Sequence, residues 1–541
     1  MDARLLPMGG EALLVEVADN DAALGLRAHL APLVDRGEGG WDAVDHLVVG
    51  ARTVLVVLRD SSRRSDVGRA CLAVAAEVAA TDPPAQEQVV EVVVRYDGPD
   101  LADVAELTGL TWAEVVRAHT STPWRVAFGG FAPGFAYLVG GDPRLHVPRR
   151  DEPRSRVPAG SVALAGTFSG IYPQASPGGW QLIGTTEARL WDVDRNPPAL
   201  LRPGVEVRFV SDGAAFAPTS AGAPTATSSA QVDGAGAGLS SAHRRALEVL
   251  APGPLTIVED LGRRGLADVG VGRSGAADRT AYLLGLRLVG HVDRGDDAPA
   301  SLECTLGGLT VRARGELLVA LTGADCLATV DGVATPLAAP FALADGQVLS
   351  LGTPQRGLRT WLAVRGGVDV TPVLGSRSTD VLSGLGPPPL VAGDVLPVGS
   401  PPATFPATES APFARPMPDD VVTLTMTAGP RADWCDPAAL AGLAEDDGTD
   451  EVRIVSQRSD RSAIRLQGKP IGWARERRGD ELPSEGMVTG AVQVPPGGEP
   501  VVFLADHPVT GGYPVIGVLT PPSQARAAQL RPGDRVRLLL R

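Results

Sequence analysis

The clearest shortage in this sequence is lysine. The 541 residues include 49 lysines and arginines together, and Lys469 is the only lysine. Lysine-dependent chemistry therefore has a single candidate. No Met-Lys-Met biotin-attachment sequence occurs, because Lys469 lies within Gly468-Lys469-Pro470, so the chain cannot carry its own biotin. The Lys-containing phosphate loop G-x-x-x-x-G-K-[ST] is also absent, which excludes ATP binding of the Walker type.

Cysteine, net positive charge and long apolar runs are missing too. Four cysteines without a C-x-x-C pair indicate neither a zinc site nor a disulfide scaffold, so we interpret them as buried reduced thiols. A formal net charge of −14 argues against nonspecific binding to nucleic acid or anionic membrane. No apolar run approaches the roughly 18 residues of a spanning helix, and the first residues lack a signal-peptide core. We therefore expect a cytoplasmic protein.

Glycine and proline are abundant instead. The sequence contains 65 glycines and 47 prolines, about a fifth of the chain, which is well above ordinary usage. So many turn residues disfavour helical bundles and favour barrels or sandwiches of short strands. At roughly 100–200 residues per domain, the length predicts three to five domains.

The first hundred residues alternate strand and helix patterns. β-Branched or apolar runs alternate with two helical patterns in the order 12–15, 21–34, 44–49, 53–58, 65–80 and 88–95. This β-α-β-β-α-β order predicts a ferredoxin-like N-terminal domain over 1–98. Two further helical segments follow, separated at Gly109, and Thr111 is the predicted N-cap of the second.

The remainder of the sequence has patterns typical of β-rich units joined by a linker. We predict a barrel over 99–210, a flexible Ala/Gly/Ser/Pro linker over 211–250, a β-rich domain over 251–400 and a second barrel over 401–541. Three landmarks recur in the same order in both halves: 160–164 with 490–494, 177–184 with 510–517, and 201–208 with 530–537. This recurrence favours duplicated barrels. Chance repetition of turn motifs in a Gly-rich chain is the alternative.

Three segments concentrate residues that could perform chemistry. The first holds four arginines that could clamp a carboxylate or phosphate: Arg149, Arg150, Arg154 and Arg156. The alternative is a surface arginine run that balances Asp151 and Glu152. The second sets the carboxylates Asp260, Asp278 and Glu303 beside glycines, although Asp278 alone fits a helix cap. The third, 504–514, places Asp506, His507, Thr510 and Tyr513 in one turn, where His507 is either a base or a structural histidine.

Together these motifs resemble a specific family. The segment 128–186 is similar to the proteins named allophanate hydrolase subunit 1, and 254–541 is similar to subunit 2. The same pair corresponds to the B and C subunits of the ATP-dependent 5-oxoprolinase of prokaryotes, to a sporulation-kinase inhibitor and its antagonist, and to the carboxyltransferase region of urea carboxylase. The matching positions include 131, 133–135, 137–138, 158–161, 170–173, 176–180, 274–276, 278, 375–379, 460–461, 493–495 and 510–514. The resemblance implies a mainly β, multi-domain α+β fold with two cyclophilin-like β-barrel halves and a ferredoxin-like N-terminal domain.

The resemblance also implies an activity and a set of site residues. It implies the fused B and C subunits of a 5-oxoprolinase that opens the lactam of 5-oxoproline to glutamate, using ATP with magnesium and a separate A subunit of the LamB/YcsF type. The catalytic residues it implies are Asp278, Glu303, Asp506 and Tyr513. The substrate- and phosphate-binding residues it implies are Arg149, Arg154, Tyr172, Ser176, Arg263, Gln493 and Thr510. No metal-ligand set is expected, and the oligomeric state, including a homo-oligomer, is left open.

Two other functions fit the same resemblance. One is a carboxyltransferase that moves CO2 from biotin on another chain to a urea-like acceptor. The other is a regulator of a histidine kinase, against which the fusion of inhibitor-like and antagonist-like halves argues, since a permanent tether would silence the switch. The sequence also departs from the family pattern at several usually polar positions, which bear on the substrate that fits: Glu259, Leu286, His291, Phe168 and Thr185.

Overall fold

We describe the protein from a computed structural model. The structure describes residues 2–78, 88–213, 245–292, 295, 298–406, 408–412, 421–444 and 451–541. Most of the predicted linker, from 214 to 244, lies outside these residues. The architecture is mainly β, and the predicted fold class is confirmed.

The N-terminal unit is a four-stranded antiparallel sheet with two helices, in the sheet order β1-β2-β4-β3. Its elements are β1 (Arg4–Pro7), β2 (Ala12–Glu16), α1 (Asn20–Arg36), β3 (Val44–Val49), β4 (Thr53–Leu58) and α2 (Arg64–Glu77). Strand β2 is buried on both faces. Leu13 and Val15 pack with the helices, whereas Ala12 and Leu14 pack with the C-terminal barrel. An apolar run without alternation is typical of a strand covered on both sides.

The first barrel contains nine strands and two helices, with seven strands in one sheet of order β12-β9-β10-β7-β6-β13-β5. Its elements are β5 (Val89–Val94), α3 (Leu101–Thr108), α4 (Trp112–Ser121), β6 (Trp124–Gly129), β7 (Ala136–Val139), β8 (Arg154–Val157), β9 (Ser161–Ala165), β10 (Phe168–Ile171), β11 (Ser176–Gly178), β12 (Gln181–Thr185) and β13 (Glu206–Ser211). Thr111 caps α4 in a reciprocal capping box with Glu114, as predicted.

One strand lies in a different sheet from the predicted one. The run at 88–95 was expected to complete the N-terminal sheet, but β5 pairs in parallel with β13 of the first barrel. Its alternate residues Val90, Val92 and Val94 enter that barrel's core. The β-branched composition indicates a strand but carries no information about its partner.

The second half begins with two stacked sheets, of order β20-β19-β22-β17-β14-β24 and β15-β16-β23-β18-β21. Its elements are β14 (Ala246–Pro252), β15 (Leu255–Glu259), α5 (Arg279–Leu288), β16 (Ser301–Thr305), β17 (Leu309–Arg314), β18 (Leu317–Asp325), β19 (Ala328–Val330), β20 (Val333–Ala334), β21 (Pro340–Leu343), β22 (Val348–Leu351), β23 (Arg356–Val364) and β24 (Val395–Pro397). Both sheets contribute to one core, which includes Leu247, Val311, Leu302 and Leu362.

The C-terminal unit is a closed barrel of order β25-β32-β29-β30-β27-β26-β33. Its elements are β25 (Val422–Ala428), α6 (Pro437–Ala444), β26 (Arg453–Val455), β27 (Ala463–Gln467), β28 (Glu485–Gly486), β29 (Ala491–Gln493), β30 (Val501–Phe503), β31 (Thr510–Gly511), β32 (Val515–Leu519), α7 (Pro521–Ala527) and β33 (Arg535–Leu540).

The two barrels repeat the same strand order. In each, the last strand pairs in parallel with the first, β13 with β5 and β33 with β25. The strands that follow the other two landmarks also pair alike, β12 with β9 and β32 with β29. Paired backbone hydrogen bonds between Arg95 and Thr185, at 2.8 and 2.7 Å, join β12 to the end of β5 and close the first barrel. The prediction of two barrels is confirmed, strand by strand.

Two smaller predictions also have an outcome. All four cysteines are free and buried, and burial raises the pKa of each thiol, which keeps them unreactive. Among the helices of the described ranges, none has both the length and the apolar character needed to cross a membrane.

Candidate functional site

The two barrels meet along a polar contact that we call the inter-barrel seam. It is formed by Gly129, Tyr137 and Arg149 of the first barrel and Ser484 and Thr510 of the C-terminal barrel. The Thr510 hydroxyl donates to the Gly129 carbonyl at 3.4 Å. A side chain at Gly129 is excluded, because a Cβ there would lie 2.7 Å from the backbone oxygen of Asp268. The seam therefore requires glycine where the two halves approach each other.

Two buried tyrosine hydroxyls lie near Arg149 in the seam. Burial raises the pKa of Tyr137, and the charge of Arg149 and hydrogen bonding to Ser484 and Arg149 oppose that rise. Burial also raises the pKa of Tyr172 to about 12, reinforced by Tyr137 and opposed by Arg149 and Arg154. Both phenols stay protonated at neutral pH, so each can donate a hydrogen bond to an anionic or carbonyl oxygen.

Aromatic packing fixes the orientation of these two rings. Phe128 stacks on Tyr137 with ring centroids 4.5 Å apart, and Phe135 meets Tyr172 edge-to-face at 5.4 Å. Trp180 contacts Tyr137 at 5.4 Å. The sequence has few aromatic residues, and the Gly- and Pro-rich segment 128–180 gathers several of them around the seam. A packed aromatic wall holds the phenols in place before a ligand arrives.

The four arginines of the predicted anion clamp have different environments. Arg150 and Arg154 both donate to one oxygen of Asp100, at 2.9 and 2.7 Å, so part of their charge is already compensated. Among the described residues, no carboxylate lies within salt-bridge distance of Arg149. Arg149 and Arg156 are thus the members of the run without a carboxylate partner there, and Arg149 is the one that lies beside the two buried tyrosines, where it could bind an anion.

Several polar atoms beside Asp100 are buried without a hydrogen-bond partner in the described structure. They are Arg154 Nη1, Ser176 Oγ and Gln181 Oε1. Strands β8 and β11 pair here, with Gly178 opposite Arg154. The Tyr172 hydroxyl is adjacent, since a Cβ on Gly178 would lie 2.3 Å from it. Buried polar atoms normally have partners, so the two donors of this group, Arg154 Nη1 and Ser176 Oγ, mark a place where a ligand oxygen fits, whereas Gln181 Oε1 can only accept a hydrogen bond.

The remaining predicted binding residues of the C-terminal barrel lie at the edge of the seam. Gln493 is buried and donates to the Tyr513 backbone oxygen at 3.1 Å and to the Met487 sulfur at 3.3 Å. Its side chain therefore positions the turn that carries Thr510. Tyr513 is 45% exposed and faces the solvent from this turn.

The carboxylates Glu303 and Asp506 lie in a different place, which we call the buried charge cluster: Glu259, Glu303, Arg359, Arg461 and Asp506. All five side chains are at most 4% exposed. Arg461 contacts all three carboxylates, donating to Asp506 Oδ2 at 3.0 Å and lying 3.2 Å from Glu259, with Glu303 as its third partner. Arg359 donates to Glu303 at 3.0 Å. The cluster joins β15, β16 and β23 of the stacked sheets to the C-terminal barrel.

The cluster holds more negative than positive groups, and Glu259 responds to the imbalance. Burial raises the pKa of Glu259 well above its ordinary value; Arg461 opposes the rise, and Glu303 and Asp506 add to it. Hydrogen bonding to Ser378 opposes the rise as well. We conclude that Glu259 holds a proton more strongly than an exposed glutamate, because three carboxylates compete for two guanidinium groups.

Asp278 and Arg263 have structural contacts. Asp278 is the N-cap of α5, accepting from the Ala281 amide at 3.0 Å and from Gln529 Nε2 at 2.7 Å, so the cap interpretation is confirmed. Burial raises the pKa of Asp278. Arg263 is buried and donates to the backbone oxygens of Val373, at 3.2 Å, and Ser378. The predicted catalytic and binding roles of these residues stay predictions, since no ligand contact bears on them.

The departures from the family pattern mostly fill structural positions. Phe168 packs edge-to-face on Tyr137 at 5.3 Å, and Leu286 is buried within α5. His291 Nε2 accepts from the Gly366 amide at 3.0 Å. Thr185 donates to Asp97 at 2.9 Å. Four of the five departures therefore have a packing or hydrogen-bonding role, and Glu259 belongs to the buried charge cluster.

Sequence reasoning missed three residues of these sites. Asp100, which holds Arg150 and Arg154, lies about fifty residues before them and in no motif. Ser484, which approaches Tyr137, is separated from it by most of the chain. Arg461 has no predicted role, although it is the central cation of the buried charge cluster. These contacts depend on the tertiary fold and leave no signal in the spacing of the sequence.

The fold and seam define a class of protein in which two barrel-containing halves, fused in one chain, share a polar contact between their barrels. The family model described as "Carboxyltransferase domain, subdomain A and B" matches residues 269–540, and "Carboxyltransferase domain, subdomain C and D" matches residues 3–201. The chain belongs to this carboxyltransferase-domain family, as a fusion that places subdomains C and D before A and B.

Relatives with established names match each half. The chain is 34% identical over 299 residues to the C subunit of 5-oxoprolinase from Escherichia coli K12, covering 54% of this chain and 89% of that protein. It is 52% identical over 128 residues to the B subunit of 5-oxoprolinase from E. coli O157:H7, covering 23% of this chain and 59% of that protein. The match thus spans less than two thirds of that B subunit. Urea amidolyase of Saccharomyces cerevisiae is 29% identical over 314 residues, covering 54% of this chain and 16% of that protein.

A solved structure matches the whole arrangement. The crystal structure of a protein designated TTHA0988 superposes with a TM-score of 0.79 at 32% identity, covering 97% of this chain and 99% of that chain. The fused order of the two halves therefore occurs in an experimentally determined structure.

Proposed function

We propose that the chain is the fused B and C component of an ATP-dependent 5-oxoprolinase, which opens the lactam of 5-oxoproline to glutamate together with a separate A subunit of the LamB/YcsF type. Support comes from relatives of both halves that are named as the B and C subunits of 5-oxoprolinase. The observation that carries the proposal is Arg149, a seam arginine without a carboxylate partner among the described residues, next to two protonated phenols.

The substrate has groups that match this arrangement. 5-Oxoproline carries one carboxylate and one amide carbonyl. Arg149 would hold the carboxylate, since a guanidinium and a carboxylate pair with charge-assisted hydrogen bonds. The hydroxyls of Tyr137 and Tyr172 would donate to the carbonyl oxygen as negative charge develops there. Tyr513, at the exposed edge, would close over the bound ring.

The phosphate chemistry fits the neighbouring atoms. When bound, ATP would supply a phosphoryl group to the oxygen of the stable lactam, which would make the ring carbon susceptible to attack by water and would leave as inorganic phosphate as the ring opens. Arg154 Nη1 and Ser176 Oγ, both buried without a partner, would hold phosphate oxygens. Within the described ranges, no group of three or more His, Cys, Asp or Glu side chains is arranged to hold a metal. We propose that magnesium enters with the nucleotide and is shared with the A subunit.

A reconstituted assay tests the proposal. ATP hydrolysis that depends on 5-oxoproline should appear only when the A subunit is added to this chain, and Arg149→Gln should lower it. Arg156→Gln is the matched control, because Arg156 is an exposed arginine of the same run. No 5-oxoproline-dependent turnover in any combination would reject the proposal.

A carboxyltransferase is the second candidate. The family model and the urea amidolyase relative favour it, and the lack of a biotin-attachment lysine requires a carrier on another chain. Free carboxybiotin gives a direct assay: decarboxylation by the purified chain that depends on Arg149 would favour this function, whereas no decarboxylation would remove its main support.

A further inference from the structure

A large cavity lies outside the seam. It has a volume of about 500 Å3 and lies where the N-terminal unit, the stacked sheets and the C-terminal barrel meet. We call it the three-unit pocket. Its lining includes Met8 and His46 from the first unit, Arg273 and Ser274 from the second, and Met487 and His507 from the third. Ligand pockets in proteins are typically of this size and lie at such junctions.

The walls of the three-unit pocket are mostly apolar, and its charge is mostly positive. Val57, Leu261, Val509 and Val518 line it together with the two methionines. Of the side chains in this lining, Arg273 and Arg279 are permanently positive and Glu11 is acidic. Arg273 also donates to the Leu261 carbonyl at 2.9 Å, and its charge acts on Asp45 behind His46, so Arg279 is the less engaged of the two cations. These walls would exclude water from the uncharged part of a ligand. The arginines would attract a negatively charged group on it.

Two histidines from different units add polar groups to this pocket. His46 Nδ1 lies 3.0 Å from Asp45 Oδ2, and His46, Arg264 and Arg273 outweigh burial to lower the pKa of Asp45 to about 2. His507 Nδ1 lies 2.8 Å from the Pro508 carbonyl, so that nitrogen carries the hydrogen and donates. Burial lowers the pKa of His507, so its ring is neutral and Nε2 can accept. Each ring is oriented by the protein before a ligand binds.

One wall is a strained turn that the buried charge cluster holds in place. Ser274 adopts φ 55°, a left-handed conformation that costs free energy for a residue with a side chain. Its hydroxyl donates to Asp506 at 2.6 Å, and Arg461 donates to the Gly275 carbonyl at 2.8 Å. The Ala277 amide donates to Glu303 at 3.3 Å. The cluster therefore fixes the turn that forms this wall of the pocket.

The three-unit pocket is separate from the seam but lies next to it. None of the residues that define the seam lines the pocket. Met487 nevertheless lines it and accepts a hydrogen bond from Gln493, which positions the turn of Tyr513. Val509 lines it too, and the next residue, Thr510, contacts Gly129 across the seam.

We propose that the three-unit pocket is a second binding site, for a small organic anion that carries one carboxylate or phosphate group on an uncharged body of ring to nucleoside size. The apolar walls cover the body, and Arg273 and Arg279 bind the anionic group. The site belongs to this chain alone, so it does not depend on the A subunit or on the reaction at the seam.

Binding of matched probes to the purified full chain tests the site. Phenyl phosphate and phenylacetate share a ring and differ in the anionic group, and benzyl alcohol is the uncharged control. Isothermal titration should show one saturable site for at least one of the two anions, with benzyl alcohol at least about tenfold weaker. The anion that binds more tightly shows whether the site prefers a phosphate or a carboxylate.

Two variants locate the site. Ala525→Trp fills the pocket from α7 and should abolish binding. Arg279→Gln should weaken the anion about fivefold, while Arg287→Gln, an exposed arginine of the same helix outside the pocket, should not. Circular dichroism confirms that each variant is folded. No saturable anion binding, equal binding of benzyl alcohol, or binding unaffected by both Ala525→Trp and Arg279→Gln would overturn the proposal.

Discussion

The buried charge cluster and the inter-barrel seam use the same residue types in opposite ways. In the cluster, Arg461 contacts three carboxylates, and all of these groups are shielded from water. In the seam, Arg149 has phenols and a serine around it and no carboxylate partner among the described residues. Both regions join parts of the chain that are distant in sequence. The charges of the cluster compensate one another, whereas Arg149 in the seam remains available to bind an anionic ligand.

The comparison shows how a structural charge differs from a functional one. A buried guanidinium that is paired on every side contributes to the fold, and losing it leaves its partners uncompensated. A partly exposed guanidinium without a counter-ion contributes little to stability and can gain free energy by binding an anion. Substitutions in the two regions should therefore separate stability from activity.

The largest expected effect is in the cluster. Arg461→Met removes the cation shared by Glu259, Glu303 and Asp506 and should lower the free energy of unfolding by about 3–5 kcal/mol. Chemical denaturation measures this change. Arg465→Met, at an exposed position in β27, is the control and should change stability by less than about 0.5 kcal/mol. Equal stability of the two variants would contradict the structural role of the cluster.

Arg154 is an intermediate case that sharpens the comparison. Arg154→Met leaves Asp100, which is nearly fully buried, with Arg150 as its remaining cation. We expect a loss of about 1–3 kcal/mol in unfolding free energy, together with a loss of 5-oxoproline-dependent turnover in the reconstituted assay. If Arg154→Met is destabilised but fully active, Arg154 has a purely structural role, as Arg461 does.

The raised pKa of Glu259 gives a pH test within the cluster. Its folded-state pKa is above the unfolded value, so the folded protein keeps a proton that the unfolded chain loses as pH rises. The contribution of this proton to the free energy of unfolding is complete below the unfolded-state pKa of Glu259. It is lost as pH rises through the folded-state pKa, by at most about 1.4 kcal/mol per pH unit.

Glu259→Gln should remove that pH dependence. The variant should therefore gain stability relative to the wild type as pH rises above the ordinary pKa of a glutamate, as measured by denaturation at each pH. The exposed substitution Glu481→Gln should give a profile parallel to the wild type. A wild-type profile that does not fall relative to Glu259→Gln would show that Glu259 is ionised throughout.

Much of the fold could be predicted from local patterns. The helices expected over 21–34 and 65–80 occur as α1 and α2, and Thr111 forms its cap because capping depends on neighbouring residues alone. The recurring landmarks predicted two barrels because each landmark precedes or forms an equivalent strand. The partner of β5 could not be predicted, since it pairs with β13, more than a hundred residues away.

The site was harder to predict, for a related reason. Spacing identified the arginine run but could not show that Asp100 pairs with Arg150 and Arg154 and leaves Arg149 without a counter-ion. The carboxylates Glu303 and Asp506 were found as motif residues, but only the fold shows Arg461 between them. Which charges are compensated depends on tertiary contacts, and these contacts separate the cluster from the seam.

The most direct test compares stability and turnover in one variant, Arg149→Gln, within the reconstituted complex. Because Arg149 is exposed and has no carboxylate partner in the described structure, the free energy of unfolding should change by less than about 0.5 kcal/mol. The 5-oxoproline kcat/KM should fall about 10- to 100-fold, as expected for a lost charge-assisted contact. A variant that keeps wild-type kcat/KM, or that loses stability as Arg461→Met does, would contradict the assignment of the seam as the substrate site.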